Sequence, residues 1–322
     1  MPKYILGVDV GGTKIATGLV NKNGKLLSKT IVPTFAAKGF KCSLKQVYSS
    51  ISEMISVARV KNGEIAGIGI CAPGPLNPAK GIIYNPPNLP GWKNINIVAL
   101  LKKKFGIRTI LENDANAAGM AELIWGAAKG HKHVFYVTVS TGIGTAVIID
   151  GKIYHGKNGM AGEGGHVTIN FEKKDSRCNC GNIGCIETLA SGTNVVKRLM
   201  KETKTSPETA KALRKISNGK IKNINMELIG NAAKKGDKFA SKVVKQQGKM
   251  LGVWLGGMIS ILDPEIIVIG GGVSLIGNIL FKEIRKTIPS YTINKFAKKT
   301  PVVSAKLKHD VGILGAASIV SR

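Results

Sequence analysis

Residues 4–20 read YILGVDVGGTKIATGLV, and residues 134–149 repeat the design as VFYVTVSTGIGTAVII. Each is an apolar, β-branched run, a glycine-containing turn and a second such run, the pattern of two strands joined by a tight turn. Turn dipeptides follow both, Asn23-Gly24 after the first and Asp150-Gly151 after the second. A second pair of stretches echoes further on. Ile65 to Ile70 is a buried-strand run leading into Ala72-Pro73-Gly74-Pro75, and Ile266 to Ile269 is another, leading into Gly270-Gly271-Gly272. Two similar α/β halves, each with a glycine-rich loop at a strand end, imply a cleft between them. A single larger α/β domain with chance similarity is the alternative.

Helical periodicity links these elements. Leu44, Val47, Tyr48, Ile51, Met54, Ile55 and Ala58 make one apolar face of a helix over Leu44 to Val60. Asp114 to Trp125, Asp237 to Ile261 and Gly312 to Val320 also read as helices, whereas the polar, lysine-rich stretch from Lys201 to Asn225 reads as exposed.

The chain has 322 residues, 43% of them hydrophobic, which suits one large or two medium domains with ordinary cores. Asp9 interrupts the early apolar stretch MPKYILGVDV, so it cannot serve as a signal-peptide core. The longest apolar run, Met250 to Leu262, falls short of a membrane span. The expected compartment is the cytoplasm, with no membrane partner. Lys and Arg number 47 against 19 Asp and Glu, a formal charge of +28. A nucleic-acid binder is one reading of that excess. A solvated lysine-rich surface that attracts anionic substrates such as nucleotides is the other, and the scatter of the basic residues, with no basic helix interleaved with aromatics, favours it.

The turn Asp9-Val10-Gly11-Gly12-Thr13-Lys14 lets backbone N–H groups approach phosphate oxygens with no Cβ in the way. Thr13 adds a hydroxyl, and Asp9 offers a carboxylate to Mg²⁺ through water. Ser140-Thr141-Gly142 supplies a matching clamp, and together the two suit a bound nucleotide; a plain hairpin turn is the bland reading of either alone. Gly151 to Lys157 has the glycine–lysine spacing of a P-loop, but Asn158 stands where Ser or Thr is required, so it reads as a hairpin. The stretch Glu112-Asn113-Asp114-Ala115-Asn116-Ala117-Ala118 joins an apolar strand to an alanine-rich helix. A carboxylate there can accept a hydroxyl proton during phosphoryl transfer, or Asn113 or Asp114 can simply cap the helix.

Cys178-x-Cys180-x4-Cys185, with His166 twelve residues upstream, is a Cys3His set in a glycine-rich loop. Three soft thiolates and an imidazole, four ligands with no open position, make a structural zinc site rather than a disulfide framework. Glu163 precedes that loop and Glu187 follows it. A folded metal loop would deliver these carboxylates and the imidazole to one place, where they suit sugar hydroxyls; exposed loop glutamates are the alternative.

At this point the chain resembles the ROK family of sugar kinases and related repressors. The match runs in order through DVGGTK, CAPGPL, NPPNLPGW, ENDANAAGMAE, VSTGIGTAVIIDGKIYHG, AGEGGH, CNCGNIGCIE and IGGGVS. The resemblance implies an α/β fold of the duplicated, two-domain actin-like ATPase (ribonuclease H-like) type, with ATP and sugar meeting in the interdomain cleft. The expected division is residues 1–113 with about 305–322 as a smaller N-terminal α/β domain, and 114–304 as a larger C-terminal α/β domain containing the zinc loop. It implies an ATP-dependent hexose kinase acting on the 6-hydroxyl of glucose, with Asp114 as general base. Gly74, Asn88, Asn113, Glu163, His166 and Glu187 match sugar-binding positions, with His166 also a zinc ligand. Asp9, Gly11, Gly12, Thr13, Lys14, Thr141 and Gly142 match the phosphate side, and Gly271 and Gly272 the adenosine side. ATP, Mg²⁺ and a structural Zn²⁺ are the implied cofactors, and a homodimer or homotetramer the implied assembly.

Thr145 stands where many members of the family carry another glycine, a departure at the nucleotide turn. The family's repressors carry a DNA-binding helix-turn-helix ahead of the kinase-like body. Asp9 lies so near the start of this sequence that no dedicated nucleic-acid-binding domain is expected. An N-acetylated hexosamine, N-acetylmannosamine or N-acetylglucosamine, is the alternative substrate, because room beside the sugar's C2 position leaves no mark on these motifs.

Overall fold

The structure, a computed structural model, describes residues 2–172 and 176–321, and for 297 and 298 the backbone alone. The first strands are β1 (Tyr4–Val10), β2 (Lys14–Asn21) and β3 (Leu26–Pro33), followed by α1 (Phe40–Val57) and β4 (Ile65–Ala72). Three short strands, β5 (Leu76–Asn77), β6 (Ile82–Ile83) and β7 (Ile95–Asn96), lead to α2 (Ile97–Phe105), β8 (Thr109–Asn113) and α3 (Asp114–Trp125). Then come β9 (Val134–Val139), β10 (Ile143–Ile149), β11 (Lys152–Ile153), α4 (Ile186–Ala190), α5 (Gly192–Glu202), α6 (Pro207–Ile216) and α7 (Met226–Lys234). The long α8 (Lys238–Leu262) precedes β12 (Ile266–Gly270), α9 (Asn278–Thr287), β13 (Val302–Ser304) and α10 (Val311–Ser318).

Two five-stranded sheets have the orders β3-β2-β1-β4-β8 and β11-β10-β9-β12-β13. In each, a hairpin-joined trio is extended by strands that return parallel to its first member: β4 on β1 and β8 on β4, then β12 on β9 and β13 on β12. This is the internal duplication read from the two opening hairpins, and the mixed sheets with their helices give the actin-like ATPase fold. Asp150 and Gly151 both take positive φ, 50° and 70°, between the paired ends of β10 and β11, so the P-loop-like spacing there is a hairpin turn.

The chain divides into two compact units, residues 1–131, 147–162 and 306–322 forming one and residues 132–146 and 163–305 the other. In the first unit, alternation along the strands sorts side chains onto two faces. Leu6, Val8, Val10, Ile68 and Ile70 join α1 and α2 in one core. Ile5, Ala16, Val20 and Cys71 pack against α3 and α10 in another. A small antiparallel sheet of β5, β6 and β7 sits after the Pro-Gly loop. The second unit is built on the fully apolar β12 and on α8, whose Trp254 meets Phe135 of β9 edge-on at 5.8 Å.

The helix read over Asp114 to Trp125 has those bounds as α3, capped by Asn113. The helix read over Leu44 to Val60 starts earlier, at Phe40, and ends at Val57. The stretch read as exposed, Lys201 to Asn225, contains α6, which buries Thr209 and Leu213 beneath its lysines; two apolar-face positions per ten residues are too few to stand out in so polar a segment. Among the described residues, no helix is long and apolar enough to cross a membrane.

Candidate active site

Parallel pairing brings the chemistry of the first unit to one edge of its sheet. Asp9 of β1 is level with Cys71 of β4, which is level with Glu112 of β8, and Ala72 is level with Asn113. These are the carboxyl ends of the parallel strands, where open α/β sheets bind ligands. The buried Cys71 thiol lies 3.5 Å from Asp9 Oδ1. Burial, and then the negative charges of Asp9, Asp114 and Glu112, push that thiol well above its ordinary range. Burial also raises the pKa of Asp9, partly offset by the Cys71 thiol and by the positive charge of Lys14.

The turn beyond β1 is closed by Gly11 N–H donating to Lys14 O at 3.0 Å, and Thr34 Oγ1 donates to Gly11 O at 2.6 Å. Gly12 presses against a residue 76 positions away in sequence. A Cβ there would lie 2.6 Å from Asn88 O and 3.1 Å from Asn88 Cβ. Asn88 itself is exposed, while its neighbours Leu89 and Trp92 are fully buried and anchor the loop. Trp92 Nε1 donates to Ser43 Oγ at 3.2 Å and its ring meets Phe40 edge-on. Tyr84 N–H donates to Pro75 O at 3.0 Å, tying this loop to the Gly74-Pro75 turn.

Asn113 is the N-cap of α3: its Oδ1 accepts from the N–H groups of Ala115 at 2.9 Å and Asn116 at 3.2 Å. Capping therefore fixes the asparagine and leaves its Nδ2, which has no partner among the described residues. Asp114, at the first helical position, is exposed, and its Oδ1 accepts from Ala115 N–H at 2.8 Å. Behind them Glu112 is buried. Its Oε1 accepts from Asn113 N–H at 2.9 Å and Asn116 Nδ2 at 3.0 Å, and its Oε2 bonds His155 Nε2 at 2.7 Å.

In the second unit the matching edge carries the turn Ser140–Gly142 after β9 and Gly271–Gly272 after β12, with Gly270 level with Thr138. Gly271 needs its glycine twice over: φ is +80°, and a Cβ would strike Val139 O. Thr141 is exposed, and a side chain at Gly272 would meet open space. Glu187 on α4 reaches the turn, its Oε2 accepting from Ile143 N–H at 2.8 Å. Thr145 is buried, and its Oγ1 accepts from Gly164 N–H at 2.9 Å, so the departure from glycine braces the short 3-10 turn that ends at His166.

His166, Cys178, Cys180 and Cys185 offer ligand atoms that all lie within 4.8 Å of one another. Cys180 Sγ and Cys185 Sγ are 3.7 Å apart, and Cys178 Sγ and His166 Nδ1 3.5 Å. Tetrahedral zinc with Zn–S of about 2.3 Å and Zn–N of about 2.0–2.1 Å needs separations of about 3.8 and 3.5–3.6 Å, so the set fits. None of the five cysteines is disulfide-bonded. Desolvation, then the neighbouring thiols, push Cys185 up to about 12, a load that a bound cation relieves. Glu163 Oε2 stands 4.0 Å from His166 Nε2, placed to orient the ring from behind.

Thus the structure gathers Asp9, Gly11, Gly12, Thr13, Lys14, Gly74, Asn88, Asn113 and Asp114 in the first unit. The second unit holds Thr141, Gly142, Glu163, His166, Cys178, Cys180, Cys185, Glu187, Gly271 and Gly272. His155 escaped sequence reasoning: it is one histidine in a hairpin loop, 43 positions from the carboxylate it binds.

The ROK family model matches residues 5–322. A glucokinase of Thermotoga maritima is 36% identical over 322 residues, covering 99% of this chain and 98% of its own. A ROK family glucokinase from Streptomyces griseus, solved in complex with glucose and AMPPNP, superposes with a TM-score of 0.82 at 30% identity, covering 98% of each chain. A xylose repressor of Caldicellulosiruptor bescii is 28% identical over 316 residues, which cover 98% of this chain and 77% of the repressor.

Proposed function

The chain belongs to the ROK family, and from that premise we propose that it is an ATP-dependent glucokinase in which Asp114 draws the proton from the sugar's 6-hydroxyl. One observation carries the reading: the likeness to a glucokinase solved with glucose and AMPPNP extends over 98% of both chains. The first unit offers Asn88, the free amide of Asn113 and the Gly74 loop to the sugar. The second offers Glu163, His166 and Glu187. Backbone N–H groups of the turns at 11–13 and 140–142 receive the phosphates, Lys14 adds charge beside Asp9, and Gly271–Gly272 leave room for the adenosine.

Asp114 accepts the hydroxyl proton as the oxygen moves in line toward phosphorus; its cap-side position on a helix, with Asn113 locked beside it, holds the carboxylate oxygen in one orientation. Mg²⁺, when bound with the nucleotide, neutralises phosphate charge, and Asp9, level with Cys71 at the end of β1, is the carboxylate that would meet it through water. His166, Cys178, Cys180 and Cys185 would hold Zn²⁺, which supplies no chemistry of its own there but closes the loop that carries His166 and ends at Glu187. Family membership extends the proposal to a homodimer or homotetramer, readable by light scattering on a sizing column.

A coupled ADP-release assay with ATP and Mg²⁺ across glucose, mannose, fructose, N-acetylglucosamine and N-acetylmannosamine tests the function. Glucose is expected to give the highest kcat/KM. Turnover confined to an N-acetylhexosamine overturns the substrate, and no turnover on any sugar by folded, zinc-loaded protein overturns the enzyme.

A further inference from the structure

Glu112 is a carboxylate with 6% of its side chain exposed, one residue from Asn113 and two from Asp114. Nothing in the transfer mechanism above uses it. A carboxylate withdrawn from water that far costs several kcal/mol unless its lone pairs are met. Its Oε1 is met by Asn113 N–H and the Asn116 side chain, at the very start of α3. Its Oε2 is met by His155 Nε2 at 2.7 Å, the short distance of a charge-assisted bond.

We propose that His155 is a positioning residue for phosphoryl transfer: by holding Glu112 Oε2 it fixes the orientation of the carboxylate that clamps Asn113 and Asn116, and through them the aim of Asp114. The inference rests on the reading of Asp114 as the base. The geometry is a relay of three links, each short: imidazole to buried carboxylate, carboxylate to the backbone of the cap residue, cap residue to the first turn of the helix. His155 is itself held, since its carbonyl accepts from Ala161 N–H at 3.0 Å across the loop that follows β11. With the imidazole gone, Glu112 keeps partners on one oxygen only and is free to rotate toward water or toward another donor. The N–H of Asn113 and the Asn116 amide then lose a fixed acceptor, and the turn bearing Asp114 loosens by a fraction of an ångström.

The link also titrates. The hydrogen bond to Glu112 raises the pKa of His155, with burial opposing it and the Glu112 charge adding to the effect. From α3 the polar group facing the pair is Asn116, which is neutral. A raised pKa means that the charged clasp persists to higher pH than an unperturbed imidazole would allow and is lost as pH rises through the raised value. The neutral ring still donates through Nε2, so deprotonation weakens the clasp where truncation removes it.

The test compares wild-type, His155→Ala and His155→Gln enzymes for kcat on glucose, for glucose Kd by calorimetry, for pH dependence of kcat and for Tm. His155→Ala is expected to lower kcat by roughly ten- to a hundred-fold, the scale of a sub-ångström misplacement, with a smaller change in glucose Kd. Gln places a non-titrating donor near the position of Nε2. His155→Gln is expected to recover most of kcat and to lack the alkaline decline that wild type shows. A wild type active on glucose whose His155→Ala variant keeps kcat within two-fold, even with a lowered Tm, overturns the positioning role. So does a folded His155→Gln that recovers nothing over His155→Ala, or one that retains the wild-type alkaline decline. Inactivity of the wild type itself would instead strike the glucokinase reading.

Discussion

Replacing Gly12 by alanine probes the contact between the first phosphate turn and the loop that presents Asn88. Gly12 is not at positive φ, so the backbone accepts alanine; the obstacle is space. The new Cβ would stand 2.6 Å from Asn88 O, against 3.4 Å for ordinary contact, and 3.1 Å from Asn88 Cβ, so turn and loop must part by about 0.8 Å. The nearer neighbour is backbone and the Cβ is fixed to it, so no side-chain rotation relieves the clash, and Leu89 and Trp92 pin the loop in the core. Overpacking of this kind costs about 1–3 kcal/mol. The activity loss is larger in proportion: the turn at 11–13 handles phosphate and Asn88 handles sugar, and separating two reactants by most of an ångström costs on the order of 10- to 100-fold in rate. The assay is coupled ADP release at saturating ATP and glucose, with Tm by calorimetry. A folded Gly12→Ala enzyme with kcat and both KM values within two-fold of wild type would refute the assignment of either Gly12 or Asn88 to the site.

Asp114→Asn keeps the cap and its hydrogen bond but removes the base, so kcat should fall by about 10²–10⁴-fold while glucose still binds in calorimetry; retained turnover would remove Asp114 from that role. Purified protein should carry about one zinc per chain by elemental analysis, and Cys178→Ser should lose it together with several degrees of Tm. Glu122 is fully buried and accepts from the N–H groups of Ala127, Lys306 and Leu307, pinning the segment before α10; Glu122→Ala strands three donors and should destabilise by about 3 kcal/mol or more, read as a drop in the denaturant midpoint. Gly142→Ala would bring a Cβ to 2.6 Å from Glu187 Oε2, the mobile end of a side chain, so Tm should hardly move while the KM for glucose rises as Glu187 is pushed off Ile143 N–H.

Much of this protein was legible in its sequence because the deciding features are local. A hairpin needs β-branched runs and a permissive turn within a few residues, and both copies of that design sit in uninterrupted stretches, 4–20 and 134–149. The Cys3His set is likewise written at ligand spacing, and α3 carries its own cap at Asn113, so its bounds follow from short-range hydrogen bonds. The tertiary structure decided what local pattern cannot express. Parallel register, a property of strands far apart in the chain, is what puts Asp9, Cys71 and Glu112 level. Close packing set Gly12 against Asn88, and turned Thr145 to brace Gly164. The His155–Glu112 bond arose in the same way, because a carboxylate cut off from water must find a donor wherever the fold supplies one, and only the folded chain brings that imidazole within 2.7 Å.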